Sequence, residues 1–453
     1  MGLNHNRAVA AFAAALLLIL FPNAAGASQN SGKNGFTLDE AYDQAFRKNE
    51  RITVSRQMLA QEREDIQIAE SNLYPRLSAQ ATYTRQKVND ISFGGMDVSG
   101  LGTPRDYGTL TFQLNQHIYQ LGKVWTGREI AKYYYKSSSF RHLRQVREVL
   151  FTVSASYYEV LLGRKAIEIA ETALERAKQQ LARAEARYDV GVLTQTDVLR
   201  ARVQVAQSRE ELERARNQYA IALGNLALEV GLEEVPAPLV EPPEKHFTEV
   251  PVSSLYEKAL EHRKDLKRLE NQLRVAEKRV DFEQADYFPN LSLEGQYTLT
   301  SESELFYGDD HDWRAALKLS YPLFTGWQRS AEVDQARAGV KEVSAAFSRL
   351  GREIRNQVRS VYLDIRTQQN VIQQLEERVK AARQNYRQVS AQFDQGLVTA
   401  VEQVDAFTAL NEAENRLAQA YYAYQLDQIR LELATGTFQS GLVHKELAEE
   451  IVR

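Results

Sequence analysis

The residues able to do chemistry are few and scattered. Beyond residue 27 the histidines are His117, His142, His246, His262, His311 and His444, with no metal-ligand spacing among them. There is no cysteine, which removes thiol nucleophiles, thiolate metal sites and disulfides. Asp309-Asp310-His311-Asp312 is the one acidic cluster with a histidine. Its oxygens suit a cation, but its setting reads as a solvated loop between two strands. Gly94, Gly95, Gly100 and Gly102 mark another such loop, without the strand–loop–helix order that cradles a phosphate. No nucleophile elbow occurs. A formal net charge of −4 gives no electrostatic case for nucleic acid. No catalytic set, cofactor or metal is therefore expected, and function must lie in how the elements are arranged.

Those elements are written twice. Leu73-Tyr74-Pro75-Arg76-Leu77 resembles Tyr287-Phe288-Pro289-Asn290-Leu291, at an offset of 214. Further on the offset falls to 205, where Asp189-Val190-Gly191 matches Asp394-Gln395-Gly396. A shorter inter-strand loop in the second copy accounts for most of the change. The chain divides into a signal peptide (1–27), an N-terminal segment (28–37), a first repeat (38–231), a proline-rich linker (232–251), a second repeat (252–436) and a C-terminal segment (437–453). In the linker stand Pro236, Pro238, Pro242, Pro243 and Pro251. The export signal rests on Arg7, the apolar run Ala8 to Phe21, and the small-x-small site Ala25-Gly26-Ala27.

Each repeat holds a strict heptad. Val153, Val160, Ile167, Leu174, Leu181 and Tyr188 are matched by Val358, Ile365, Ile372, Val379, Tyr386 and Phe393. A second phase, Val198, Val205, Leu212, Tyr219 and Leu226, has its counterpart in Leu410, Leu417, Tyr424 and Leu431, with Gln403 breaking the match. A period of 3.5 makes helices supercoil left-handedly around neighbours. Lys123 to Asp189 contains no proline, so one helix there would be about 100 Å long. Shorter helices, about 38–72 and 197–230, could stack end to end beside it. Gly191 and Gly396 suit the left-handed residue that ends a helix, and Thr194 and Thr399 can start the next.

Between the helices lie four segments of period two. Leu77, Ala79, Ala81 and Tyr83 form the apolar face of the first, and Leu110, Phe112 and Leu114 that of the second. Leu291, Leu293, Gly295, Tyr297 and Leu299, then Trp313, Ala315, Leu317, Leu319 and Tyr321, form the others. At roughly 9–11 residues each matches a tilted membrane-crossing strand. Aromatic residues cluster toward the ends: Tyr74, Tyr119, Phe288, Tyr321 and Phe324 on one side, Tyr83, Tyr107 and Tyr297 toward the other. A soluble sandwich with one buried face would show the same alternation; the export signal and the helix length favour lipid. Four strands cannot close a barrel in a bilayer, so the membrane reading requires several copies.

This arrangement resembles the TolC-like outer-membrane efflux proteins, from about Leu38 to Gly436. The most specific pieces are Tyr188-Asp189-Val190-Gly191-Val192-Leu193-Thr194-Gln195-Thr196-Asp197-Val198 and Phe393-Asp394-Gln395-Gly396-Leu397-Val398-Thr399-Ala400-Val401-Glu402-Gln403. The resemblance implies a mainly α fold with membrane β: a duplicated long-helix coiled-coil barrel, plus four strands given to a shared trimeric transmembrane β-barrel of 12 strands. It implies a homotrimer in outer-membrane lipid of a bacterial cell, with a long periplasmic extension, docked to a periplasmic adaptor (membrane fusion) protein and an inner-membrane pump. Such a chain is an exit duct for efflux or type I secretion and not an enzyme; the alternative is a periplasmic coiled-coil interaction protein without a pore. The resemblance places adaptor contacts at Gly191, Val192, Leu193, Thr194, Gly396, Leu397 and Thr399. It places the tunnel entrance at Glu402 and Asp405, where three copies would set rings of like charge. Thr196 and Asp197 match a threonine–aspartate pair that some members bond to a tyrosine and an arginine. Phe393 and Val398 hold those two places here, so the arginine–carboxylate latch is missing at its matching site.

Overall fold

A computed structural model describes residues 35–85, 92–93, 96–97, 106–120, 122–236, 238–301, 310–439 and 441. The signal segment, Gly94, Gly95, Gly100, Gly102, Asp309 and His444 lie outside the described residues. The first half contains α1 (Leu38–Lys48), α2 (Glu50–Ser71), β1 (Arg76–Arg85), β2 (Ser92–Phe93), β3 (Met96–Asp97), β4 (Asp106–Tyr119), α3 (Lys123–Asp189) and α4 (Gln195–Val230). The second contains α5 (Val252–His262), α6 (Lys264–Gln284), a 3-10 turn at Ala285–Tyr287, β5 (Asn290–Ser301), β6 (Asp310–Ser320), α7 (Gln328–Asp394) and α8 (Ala400–Thr435).

The heptads produce the two long helices. α3 and α7 are unbroken over 67 residues each. Val153, Val160 and Leu174 are buried, as are Val358, Ile365, Val379 and Phe393. Val198, Val205, Leu212, Leu226, Leu410, Tyr424 and Leu431 face them from α4 and α8. Gln403, the break in the second phase, is buried too. Toward its far end α3 runs beside α4, and toward the strands beside α2 and α6; α7 likewise packs on α8 and then on α5 and α6. Around the strand-side ends the packing order is α2–α3–α6–α7.

The shorter helices differ from the expected single span of 38–72. Asn49 breaks it, ending α1 and capping α2 with an extended backbone (φ −64°, ψ 126°). Its Oδ1 accepts from the Arg51 amide at 2.9 Å, and its Nδ2 donates to the Glu229 carbonyl at 2.8 Å. Arg263 breaks the second copy between α5 and α6 in the same conformation, and its guanidinium donates to the Ala434 carbonyl at 3.2 Å. Position and partner correspond under the two repeat offsets. An interior polar group that satisfies a distant carbonyl outweighs the continuation of the helix.

Beside each break the end of the repeat's last helix closes in. Gly231 and Gly436 terminate α4 and α8 at φ 74° and 75°. A Cβ on Gly231 would stand 3.0 Å from the Lys48 carbonyl, and one on Gly436 2.9 Å from that of His262. The largest buried cluster lies at this level: Tyr42, Ile52, Leu150, Tyr157, Leu161, Leu226 and Phe438 interlock α1, α2, α3, α4 and the residues after α8. The proline-rich linker is strapped onto it. Phe36 and Leu239 form a parallel bridge, the Tyr157 hydroxyl donates to the Phe36 carbonyl at 2.8 Å, and Arg164 donates to the Leu239 carbonyl at 2.8 Å. Tyr422 and Tyr421 donate to Glu241 and Glu244. Burial pushes the Tyr42 and Tyr157 phenols upward.

The four long strands form one antiparallel sheet in the order β1-β4-β5-β6. Its register aligns the alternation across all four. Ala79, Phe112, Tyr297 and Trp313 share one row, and Gln80, Thr111, Thr298 and Asp312 the next. β4 runs longer than its apolar core predicts, and an irregularity at His117–Tyr119 sets Tyr119 opposite Leu291. The outer edges of β1 and β6 have no partner strand among the described residues.

Gly231→Ala and Gly436→Ala should each destabilise the fold by at least about 1–2 kcal/mol, the cost of a left-handed non-glycine residue, before any backbone contact is added. Chemical denaturation of the purified protein measures this, with Gly224→Ala, in open space within α4, as the comparison.

Candidate functional site

The far ends of the long helices are built by their own residues. At the first hairpin Gly191 is left-handed (φ 78°), and the Gly191 and Val192 amides donate to the Tyr188 and Arg187 carbonyls at 2.8 and 2.9 Å. Gly396 (φ 71°) and Leu397 repeat this on Phe393 and Gln392, at 2.9 and 3.0 Å. Thr194 and Thr399 each cap the following helix in a reciprocal box. The Asp197 carboxylate accepts from the Thr194 amide at 3.1 Å, and that of Glu402 from the Thr399 amide at 2.7 Å. The turns therefore leave Val192 and Leu397 exposed while Leu193 packs inward beside Ala184, Val198 and Ala201.

Of the residues expected at the entrance, Glu402 and Asp405 are exposed at the start of α8. The amide and hydroxyl of Thr399 hold the Glu402 carboxyl below the usual carboxylate range. Thr196 is exposed and Asp197 is spent on its own cap, so the threonine–aspartate pair does not meet Phe393 or Val398 through any hydrogen bond. Val398 is half-buried and Phe393 is buried.

What meets Phe393 is Arg187, which lies outside the expected set. Its guanidinium sits 5.6 Å from the Phe393 ring centre and donates to the Phe393 carbonyl at 2.7 Å. One turn back Arg183 pairs with Asp394 at 3.2 Å. Deeper in the bundle, Arg176 of α3 and Arg383 of α7 both reach Glu414 of α8, at 3.3 and 2.8 Å. A polarity reversal thus ties the two hairpins together: the arginine comes from the first hairpin. The signal was present as broken symmetry. Under the 205 offset, Arg183 and Arg187 correspond to Gln388 and Gln392, so these arginines belong to one copy only.

At the opposite end the acidic cluster is not the expected loop. β6 begins at Asp310, with Asp310, His311 and Asp312 paired to Thr300, Leu299 and Thr298. The pleat sends His311 to one face, beside Tyr297 at 6.5 Å between ring centres, and both aspartates to the other. Alternation alone prevents these three from sharing a cation. Among the described residues one carboxylate triple is close enough to hold a metal, Glu283, Asp286 and Glu332. Lys123 already sits 2.6 Å from both Asp286 oxygens.

The apolar sheet face is open, with Leu77 and Trp313 each 71% exposed. The other face carries cross-strand polar pairs, Lys318 with Glu294 at 3.3 Å and Arg314 with Gln296 at 3.4 Å. Where strands join helices, Tyr74, Tyr119, Phe288, Tyr321 and Phe324 are all exposed as one belt. Trp125, Leu323 and Trp327 extend it. Trp327 holds a left-handed backbone (φ 68°) at the position that Gly122 fills in the first copy. Among the described residues no helix is long and apolar enough to cross a membrane.

The fold has known counterparts. A family model described as outer membrane efflux protein matches residues 41–232 and 255–437. The outer membrane protein TolC of Escherichia coli strain K12 is 24% identical over 422 residues, covering 88% of this chain and 82% of that protein. The alkaline protease secretion protein AprF of Pseudomonas aeruginosa is 28% identical over 328 residues, 67% of each chain. Among solved structures CusC has the same fold, with a TM-score of 0.75 at 17% identity over 88% of this chain and 92% of that one. VceC of Vibrio cholerae gives 0.72 at 19% identity, over 88% and 96%. The family match spans both halves of the chain, which therefore belongs to the outer membrane efflux protein family, as a TolC-like efflux channel of the bacterial outer membrane with a periplasmic helical extension.

Proposed function

We propose that three copies form one passive exit duct, serving a periplasmic adaptor protein and an inner-membrane pump in efflux or type I secretion. The observation that carries this reading is the open sheet, with an exposed apolar face and two edges unpaired among the described residues. In hydrocarbon each unpaired backbone group costs several kcal/mol, and four strands fall short of the roughly eight that close a single-chain barrel. Pairing β6 of one copy with β1 of the next removes both edges. The helical layer supports the same seam, because α2 and α7 stand at its edges as β1 and β6 do in the sheet. Val54, Met58 and Ile68 of α2 and Phe347 of α7 are exposed there. The apolar sheet face then meets outer-membrane lipid, the aromatic belt lies at the interface, and the polar face lines water.

At the far end we assign the resting closure to Arg183–Asp394 and Arg187–Phe393 in place of the absent latch. Glu402 and Asp405 of the three copies would form acidic rings that favour cations, and the exposed turns at Gly191–Thr194 and Gly396–Thr399 would receive the adaptor. The duct needs no catalytic group of its own: energy comes from the pump.

Leu293→Arg should impair assembly in the outer membrane at a cost of about 2–4 kcal/mol, the range for a midplane charge facing lipid. Gln296→Arg should be tolerated. Heat-modifiable migration of membrane extracts reads both, and equal tolerance would refute the strand orientation. An exposed ion pair such as Arg183–Asp394 is worth up to about 1 kcal/mol, and a part-exposed cation–π contact such as Arg187–Phe393 about the same. Arg183→Ala and Arg187→Ala should therefore each shift closed against open by up to about fivefold, seen as raised resting conductance in planar bilayers. Unaltered conductance in the double variant would remove the latch assignment. Glu402→Gln with Asp405→Asn should weaken divalent-cation block of single-channel current while keeping the cap, since glutamine serves at that position. In the parent chain the Glu402 contribution should persist as pH falls through the ordinary carboxylate range, because its folded-state pKa is depressed; block that vanishes at the ordinary carboxylate pKa would count against that role.

A further inference from the structure

At the level where α5 gives way to α6, a cavity of about 460 Å³ opens among α3, α6, α7 and α8. Its charged lining is largely self-satisfied. Arg144 holds Glu148 at 2.8 Å, and Arg263 holds Asp265 at 2.5 Å. Arg430 is taken by Asp427 at 2.6 Å, and Glu353 by Arg349 at 2.7 Å. Two cations of the lining remain, Arg147 and Lys264. Arg147 is only 6% exposed, and its Nε is buried with no hydrogen-bond partner among the described residues. Lys264 opens α6, whose cap residue Arg263 offers no side-chain acceptor to the first turn, although Asp265 accepts from the Leu266 amide at 3.1 Å.

Asp265 attracts Arg147 but is already held by Arg263, which leaves the buried guanidinium without an ion-pair partner among the described residues, a costly state, and a helix start attracts negative charge. Both features converge on one cavity. We propose that it is an anion site, occupied by one phosphate-type oxyanion held between Arg147 on α3 and Lys264 at the start of α6. Burial and repulsion from Arg147 and Lys267 push the Lys264 amine down, and burial with Arg263 does the same to Arg147 against the pull of Asp265. An anion between them reverses both effects. Arg147 stands 24 residues beyond Lys123, about 36 Å along α3 from the strands. That is out of reach of a lipid headgroup in the bilayer the strands cross, so the ligand is a soluble oxyanion. In place it would join α3 to α6 beside the Arg263 break, fixing the angle between α5 and α6 against the long helix. The site lies within one copy, and its test does not depend on how many copies assemble.

The test is equilibrium dialysis of the purified full chain in detergent against radiolabelled inorganic phosphate, in chloride buffer. The expected result is saturable binding of one phosphate per chain, displaced by sulfate, and weakened at least tenfold by Arg147→Met. Lys264→Met should weaken it too, which keeps the test alive if the first variant fails to fold. Arg209→Met, on an exposed part of α4, should bind as the parent does. Absence of saturable binding in the parent chain would overturn the proposal, as it would mean that the cavity's charge is met otherwise, for example by a carboxylate of another copy. Binding unaffected by both Arg147→Met and Lys264→Met would overturn it as well.

Discussion

An antiparallel ribbon of four strands has two edges that no strand among the described residues pairs, and the rest of the molecule is consistent with that constraint. In water such edges are solvated. In hydrocarbon they are costly enough that the ribbon is stable only as part of a closed wall. The register makes the ribbon fit for such a wall, because its rows alternate between mainly apolar and mainly polar, with His311 and Ala316 among the exceptions. The helical layer beneath preserves the same order, so whatever closes the sheet closes the helices along the same line.

Half-way down, the chain solves a different problem. Two long helices alone would slide past their neighbours along a repetitive heptad seam. The breaks at Asn49 and Arg263 fix the position. Each inserts a side chain that donates to one carbonyl near the end of its repeat's final helix, and a glycine permits the close approach. The strapped linker and the aromatic cluster around Tyr157 add a third tie. Residue identity is preserved at Gly231 and Gly436, where the backbones close in, but not at Asn49 and Arg263 or at Gly122 and Trp327. It is also lost where charges couple the copies, as at Arg183 and Arg187.

Much of this was legible in the residues. Heptad spacing and the absence of proline located α3, and period-two alternation located the four strands with their faces. Glycine and threonine at the turns announced the caps, because those roles depend on local backbone chemistry. Long-range hydrogen bonds left no periodic trace. Nothing near Asn49 distinguishes a helix break from an interior asparagine until the Glu229 carbonyl is in place. The acidic run at residues 309–312 reads as a loop from its place between two strands, whereas cross-strand pairing with Thr298–Thr300 extends β6 through its last three members. The arginine ties were hidden for the same reason: their partners lie about two hundred residues away. They stand out only where one repeat is compared with the other.

The reciprocal caps at Thr194–Asp197 and Thr399–Glu402 draw on no residue beyond four consecutive positions. Each bend is consequently complete before any other molecule touches it. A protein that lands on this surface meets backbone already ordered, so association does not bear the entropy loss of folding a loop. The same self-sufficiency lets the two bends part or approach as rigid pieces, with their shape unchanged on either side of the motion.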